Sequence, residues 1–308
     1  MSRSSAGHPE AAAGPFGLRY VTCAAAAGSG ILTGEIRRVA KGAGMGETGG
    51  EGVRYRVEDG LATVVLDRPD AMNALDTATK DALRDALRAA AGDEAVRAVL
   101  LTGSGRAFCV GQDLKEHVGV LEAGGGMTTV AEHYNPITLA IATMPKPVVA
   151  AVNGAAAGAG AGFAFAADHR IAAESASFTT AFAGVGLSTD SGMSWTLQRL
   201  VGYGRAAELL LFPRRVPAAE ALELGLVHRV VPDGELAEAA LATARELAQG
   251  PTAAYAAMKE ALAYAATASL PDALAREEVL QSRAGSSADH KAAVAAFVRK
   301  ERPRFTGR

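Results

Sequence analysis

Two glycine-rich segments, GSGRAFCVGQDL (residues 103–114) and NGAAAGAGAGF (residues 153–163), are the parts of this 308-residue sequence best suited to act on a ligand. Small residues let a backbone approach a bound group closely, and the first N–H groups of a helix have no partner within it. Each segment can therefore present an amide donor to developing negative charge. Two such donors make an oxyanion hole. The alternative for either segment alone is tight strand-to-helix packing with no ligand. Dinucleotide binding fits less well, because GAGAG lacks the G-x-G-x-x-G spacing and no phosphate-loop lysine follows it. A third small-residue turn, GLSTDSG, carries Asp190 just ahead of a helical stretch, where a carboxylate either caps the helix or faces a ligand. Cys23 and Cys109 stand far apart with no ligand-type neighbours, so neither a disulfide framework nor a metal site is expected.

These segments need elements to hold them. VRYRVEDGLATVVLDRP, from Val53, reads as two short strands around a turn at Glu58, Asp59 and Gly60. TATKDALRDALRAAA reads as a helix capped by Asp76 or Thr77, with Ala82, Leu83, Ala86, Leu87 and Ala90 on one apolar stripe. Residues 96–103 and 147–154 are charge-poor, β-branched and end in glycine, the pattern of buried strands, and RIAAE (170–174) is a further strand. A loop region to Gly192, a helix from about Ser194 and a helix-rich stretch through Ala296 complete the chain. Strands alternating with helices predict one α/β domain over 53–308, helical from about 194. Residues 1–52 hold 12 of the 35 glycines and show no apolar period, so they read as a disordered extension: a linker, a targeting peptide, or translation from upstream of a start at Met45.

Composition narrows the partners. With 31 basic and 33 acidic side chains the formal net charge is -2, which supplies no global field for a nucleic acid or an anionic membrane. Between Lys146 and Asp168 no charge interrupts PVVAAVNGAAAGAGAGFAFAA, a length that could span a bilayer. Its alanine and glycine content, with Asn153 inside and Pro147 at the start, favours a buried strand, a tight loop and a helix instead. The first 30 residues show no convincing secretory core, and two unpaired cysteines suit a reducing cytoplasm.

LDRPDAMNALD, GRAFCVGQDL, KPVVAAVNGAAAGAGAGFAFAADHRIA, GVGLSTDSGMSWTLQRLVG and AAEALELGLVHRVV, in this order and spacing, resemble the enoyl-CoA hydratase/isomerase (crotonase) family over about residues 53–308. The resemblance implies a spiral of ββα units, a homotrimer or dimer of trimers, an acyl-CoA substrate and no cofactor beyond the CoA that the substrate carries. By position it gives the oxyanion amides to Gln112 and Ala159. Ala159 stands where the family has glycine, and it keeps the donor provided its methyl need not sit at positive φ. Arg68, Ala74, Asp113, Leu114 and Lys115 fall at CoA-binding positions, and Lys300 matches a residue that meets a CoA phosphate across a subunit interface.

The two glutamate positions of classical hydratases are Gly162 and Phe182 here, neither able to move a proton, and both are expected to border the acyl group. Glu174, between them, reads as a solvated charge. Asp190 matches the aspartate that faces the acyl group in several branches, among them ring-1,2-epoxyphenylacetyl-CoA isomerases, whose form GLSTDSGMSW follows most closely. Phe182, Met193 and Trp195 are expected to desolvate it. A dehalogenase would need a histidine at Asn135, with His133 two residues away, and a tryptophan at Phe182. The expectation is an isomerase with Asp190 as proton shuttle. A hydratase, C–C lyase or thioester hydrolase, or a non-catalytic fold that binds acyl-CoA or a protein, are the alternatives.

Overall fold

A computed structural model describes residues 49–308, so the extension expected over 1–52, with Cys23 and Met45, lies almost wholly outside the described residues. β1 (Val53–Glu58) and β2 (Leu61–Leu66) form the expected antiparallel hairpin, and left-handed Asp59 and Gly60 make its turn. α1 (Thr77–Gly92) follows. Asp76 is its cap, accepting the Thr79 N–H at 2.8 Å, and Leu83, Ala86, Leu87 and Ala90 form its buried stripe.

Three strand pairs then repeat one plan. β3 (Ala98–Gly103), β5 (Val148–Val152) and β7 (His169–Ala173) are long strands, and each is followed within a few residues by a three-residue strand: β4 (Ala107–Cys109), β6 (Ala155–Ala157) and β8 (Ser177–Thr179). The main sheet runs β1-β2-β3-β5-β7-β10, parallel from β2 onward, where β10 is Arg229–Val231. The smaller sheet runs β4-β6-β8-β9, where β9 is Val216–Pro217. Each pair steps from one sheet to the other, which produces the spiral of ββα units. All residues of β3 and β5 are buried, as strands of a parallel sheet covered on both faces must be.

Helices fill the connections: α2 (Leu114–Glu122), α3 (Asn135–Thr143), α4 (Ala159–Ala166) and α5 (Met193–Val201). α6 (Tyr203–Leu211), α7 (Ala218–Glu223), α8 (Leu236–Ala248), α9 (Thr252–Ala265), α10 (Leu270–Gly285) and α11 (Ala288–Val298) form the helix-rich C-terminal part. β4 and β6 lie inside the segments that read as glycine-rich loops, and β9 and β10 interrupt the helical region. Runs of two or three residues are too short to show a period of two. The uncharged stretch is β5, β6 and then α4, which is eight residues long and buried on every side. No helix among the described residues is long and apolar enough to cross a membrane.

Candidate active site

Two buried asparagines fix the first glycine-rich segment. Asn73, fully buried and left-handed (φ 56°), accepts the Arg68 N–H at 2.9 Å and donates to Ser104 O at 2.9 Å and Ala107 O at 2.8 Å. Asn153 works from the other side, donating to Gly105 O at 2.9 Å and Ala107 O at 3.0 Å and accepting the Gly103 N–H at 3.2 Å. The turn from β3 into β4 is thereby held between the β2–α1 connection and the end of β5.

Beyond β4 the chain makes a one-residue parallel bridge, Leu75 to Gln112: Leu75 N–H donates to Gly111 O at 2.8 Å and Asp113 N–H donates to Leu75 O at 3.0 Å. Those bonds use the residues flanking Gln112, so its own N–H points away from Leu75. Ala159 opens α4, and its N–H has no acceptor within the helix. The left-handed turn before it falls on Gly158 (φ 51°), while Ala159 itself stays at negative φ, so the alanine keeps the amide without strain. The two amides are neighbours, because a Cβ placed on Gly111 would lie 3.4 Å from Ala159 N.

Both amides border a cavity of about 1080 Å³. Arg68, Ala74, Asp113, Leu114 and Lys115 line it with Gln112, and Ala159, Phe182 and Asp190 line it too, so nearly all the expected site residues meet in one place. Gly162 and Lys300 do not line it. Gly162 lies within α4 beneath Ser191, where an added Cβ would come 2.7 Å from the Ser191 Cβ. Lys300 is exposed just past α11, away from the cavity of its own chain. Arg68 differs in role from a free phosphate ligand. Its guanidinium spans Asp76 at 2.9 Å and Asp113 at 3.1 Å and donates to Ala74 O, so two carboxylates already balance its charge. Burial alone would raise the Asp113 carboxyl, but Arg68 and the Lys115 and Glu116 N–H groups outweigh it and hold it below the usual range.

Asp190 stands differently. The residue preceding α5 is Gly192, no side chain among the described residues caps that helix, and among those residues the Asp190 carboxylate accepts only the Ser191 hydroxyl, at 2.8 Å. The capping alternative therefore falls. Ser191 (φ 52°) and Gly192 (φ 69°) are both left-handed, a double turn that leaves Asp190 on the cavity wall. Burial pushes its carboxyl above the ordinary range, and the Ser191 hydrogen bond only partly offsets this. Phe182 and Met193 are buried nearby as expected, but Trp195 is not part of the shield: it is 44% exposed, with the Arg199 guanidinium 4.0 Å from its ring.

Sequence reasoning missed Tyr134. A π-helical turn, Val130–Tyr134, brings it to the cavity with its ring against Phe163 and its hydroxyl donating to the Gln112 side-chain oxygen. Burial and then the Asp190 charge raise its pKa. The surrounding EHYNP is polar and has no period, so no pattern marks it. His133 turns away, meeting Thr129 at 3.2 Å and Asp81 at 3.4 Å, while Asn135 and Glu174 are exposed.

Comparison with known proteins gives the family. Residues 56–308 match the family described as enoyl-CoA hydratase/isomerase. A Rhodobacter capsulatus protein named a probable enoyl-CoA hydratase is 48% identical over 256 residues, 83% of this chain and 98% of the relative. The 1,2-epoxyphenylacetyl-CoA isomerase of Escherichia coli K12 is 41% identical over 262 residues, 84% of this chain and 99% of the relative. A crystal structure from Mycobacterium abscessus, described as an enoyl-CoA hydratase/isomerase, superposes with a TM-score of 0.81 at 50% identity, covering 83% of this chain and all of that one.

Proposed function

The chain belongs to the enoyl-CoA hydratase/isomerase family, and within it we propose an enoyl-CoA isomerase that uses Asp190 as its single proton shuttle. The observation that carries this reading is the state of the cavity carboxylates: Asp113 is tied to Arg68, Asp70 sits exposed on a short turn, and Asp190 alone is half-buried, unpaired with a cation and raised in pKa. The substrate's thioester oxygen sits between the Gln112 and Ala159 N–H groups. Asp190 takes a proton from C2, the electrons move onto the thioester oxygen, and the two amides stabilise the enolate. Return of the proton from Asp190 to C4 shifts the double bond and restores the carboxylate, so no further cofactor is required.

Lys115, exposed at the cavity edge, supplies positive charge for the CoA phosphates in place of the neutralised Arg68, and Lys300 reaches CoA from a neighbouring subunit. The exposed apolar side chains of α9 to α11, such as Leu262, Leu270 and Phe297, are surface that a homotrimer or a dimer of trimers would cover. A ring-epoxide thioester of the kind named for the E. coli relative belongs in the substrate panel. Hydration is the second reading, favoured by the name of the Rhodobacter relative. Incubation with trans-2-enoyl-, cis-3-enoyl- and ring acyl-CoAs, followed by mass and ultraviolet detection, separates the two. Double-bond migration without mass change supports isomerisation, and a gain of one water rejects it.

A further inference from the structure

The two amides of the hole are held by different means. Ala159 is built into α4, a helix buried on every side. Gln112 lies between the three-residue strand β4 and α2, and α2 buries none of its residues. Its backbone has only the short bridge to Leu75 behind it. Its side chain, however, is braced from three directions. The Tyr134 hydroxyl donates to its Oε1, the Lys80 ammonium approaches the same oxygen at 3.4 Å, and its Nε2 donates to Glu116 Oε1 at 3.4 Å. The braces are themselves fixed, since Lys80 meets Glu116 at 3.1 Å and Thr129 at 3.0 Å, and Glu116 Oε2 accepts the Thr77 N–H at 2.7 Å.

Lys80 is 2% exposed and Tyr134 1% exposed, so this polar group is buried against a largely apolar cavity. Burying an ammonium and a phenol is unfavourable unless every donor is met. The fold does meet them, and the residue on which they converge is the one whose N–H must hold its direction while charge develops. The π-helical turn that ends at Tyr134 is an uncommon distortion, and it is what places the phenol at this point.

We propose that Tyr134 is a positioning residue for the oxyanion hole, acting through the Gln112 side chain, with Lys80 and Glu116 as its anchors. The inference rests on the oxyanion reading of Gln112 and Ala159 and adds the device that keeps the looser of the two donors aimed. Fixed donor geometry is what makes such a hole effective, because dipoles that must reorient during the reaction lose much of their benefit.

Tyr134→Phe tests it, since Lys80 still meets the Gln112 oxygen and the ring still packs on Phe163. The probe is octanoyl-CoA labelled with 13C at the carbonyl, read by its infrared stretch when bound and by C2 deuterium exchange in heavy water. In the parent the bound carbonyl shifts to lower frequency. In Tyr134→Phe the shift shrinks and the saturated exchange rate falls by roughly 3- to 10-fold, the loss of one ordinary hydrogen bond, with half-saturation and melting temperature near the parent's. Gln112→Met removes the acceptor, and adding Tyr134→Phe to it produces no further loss. An unchanged carbonyl shift in Tyr134→Phe, or effects that add in the double variant, overturns the inference. A parent whose bound carbonyl does not shift at all overturns the oxyanion reading beneath it.

Discussion

Replacing Asp190 with asparagine removes the unpaired carboxylate from the cavity wall while leaving nearly everything around it in place. The side chain accepts one hydrogen bond, from the Ser191 hydroxyl at 2.8 Å, and an asparagine Oδ1 accepts it equally well. It caps no helix, so no end of α5 is left open. The effect on stability even has a favourable sign. Burial raises the folded-state pKa above its ordinary 3.8, so ionising Asp190 costs more in the folded protein than in the unfolded chain. Below pH 3.8 the group is protonated in both states and contributes no penalty. The penalty grows as pH rises above 3.8 and is complete above the folded-state pKa; asparagine relieves it. Asp190→Asn therefore melts no lower than the parent at pH 7, and the two converge as pH falls toward 4. Activity moves the other way, since a positioned general base contributes roughly 100- to 10,000-fold. C2 deuterium exchange of a bound thioester reports that step even before the substrate is identified. Exchange at the parent rate, or a melting temperature several degrees below the parent's at pH 7, refutes the assignment.

The raised pKa also places the acid limb of kcat/KM above 3.8, and Ser191→Ala moves it higher still by deleting the one hydrogen bond that lowers it; pH–rate profiles of both proteins check this. Asn153→Ala leaves the Gly103 N–H and the Gly105 carbonyl without the partner that Asn153 supplies, while Ala107 O keeps Asn73; the change costs about 2–4 kcal/mol in denaturant unfolding and slows C2 exchange as the β3–β4 turn loosens. Gly162→Ala forces a methyl against Ser191 and costs about 1–3 kcal/mol, with a matching drop in exchange rate, because Ser191 sets the Asp190 turn. Light scattering on the purified protein returns a trimer or its double, and a monomer at micromolar concentration rejects the proposed cover for α9 to α11.

What the sequence made legible follows from length scale. The hairpin at Asp59 and Gly60, the capped α1 and the apolar strands β3, β5 and β7 are long enough, or carry turn residues distinctive enough, for period and capping to identify them. The three-residue strands of the smaller sheet carry no such signal, yet they are what turn two glycine-rich segments toward each other. That Gln112, Ala159 and Asp190 would line one cavity was readable because motif position fixes backbone and turn residues well. Tyr134 and the Lys80 brace were not, since they reach the site by side-chain contacts across 22 and 32 positions of sequence. Arg68 shows the opposite limit: it lines the cavity as expected, but which charges would neutralise it depended on how Asp76 and Asp113 fold against it.

Gly162 ties the missing glutamates to the carboxylate that remains. Residue 162 lies on α4 three positions past the Ala159 donor, where the family resemblance implies an acid reaching into the cavity. Here the space directly outside its Cα is filled by Ser191, whose Cβ and carbonyl would stand 2.7 and 2.9 Å from any Cβ at 162. A side chain of any size at 162 and the observed Ser191 turn therefore exclude each other. That same turn, left-handed at Ser191 and Gly192, is what brings Asp190 to the wall. The absence of a side chain at 162 and the placement of Asp190 are thus a single packing arrangement. Ser191, fully buried, occupies the space that a side chain at 162 would need. The residues that aim Asp190 at the cavity wall are therefore the same ones that keep a side chain out of position 162.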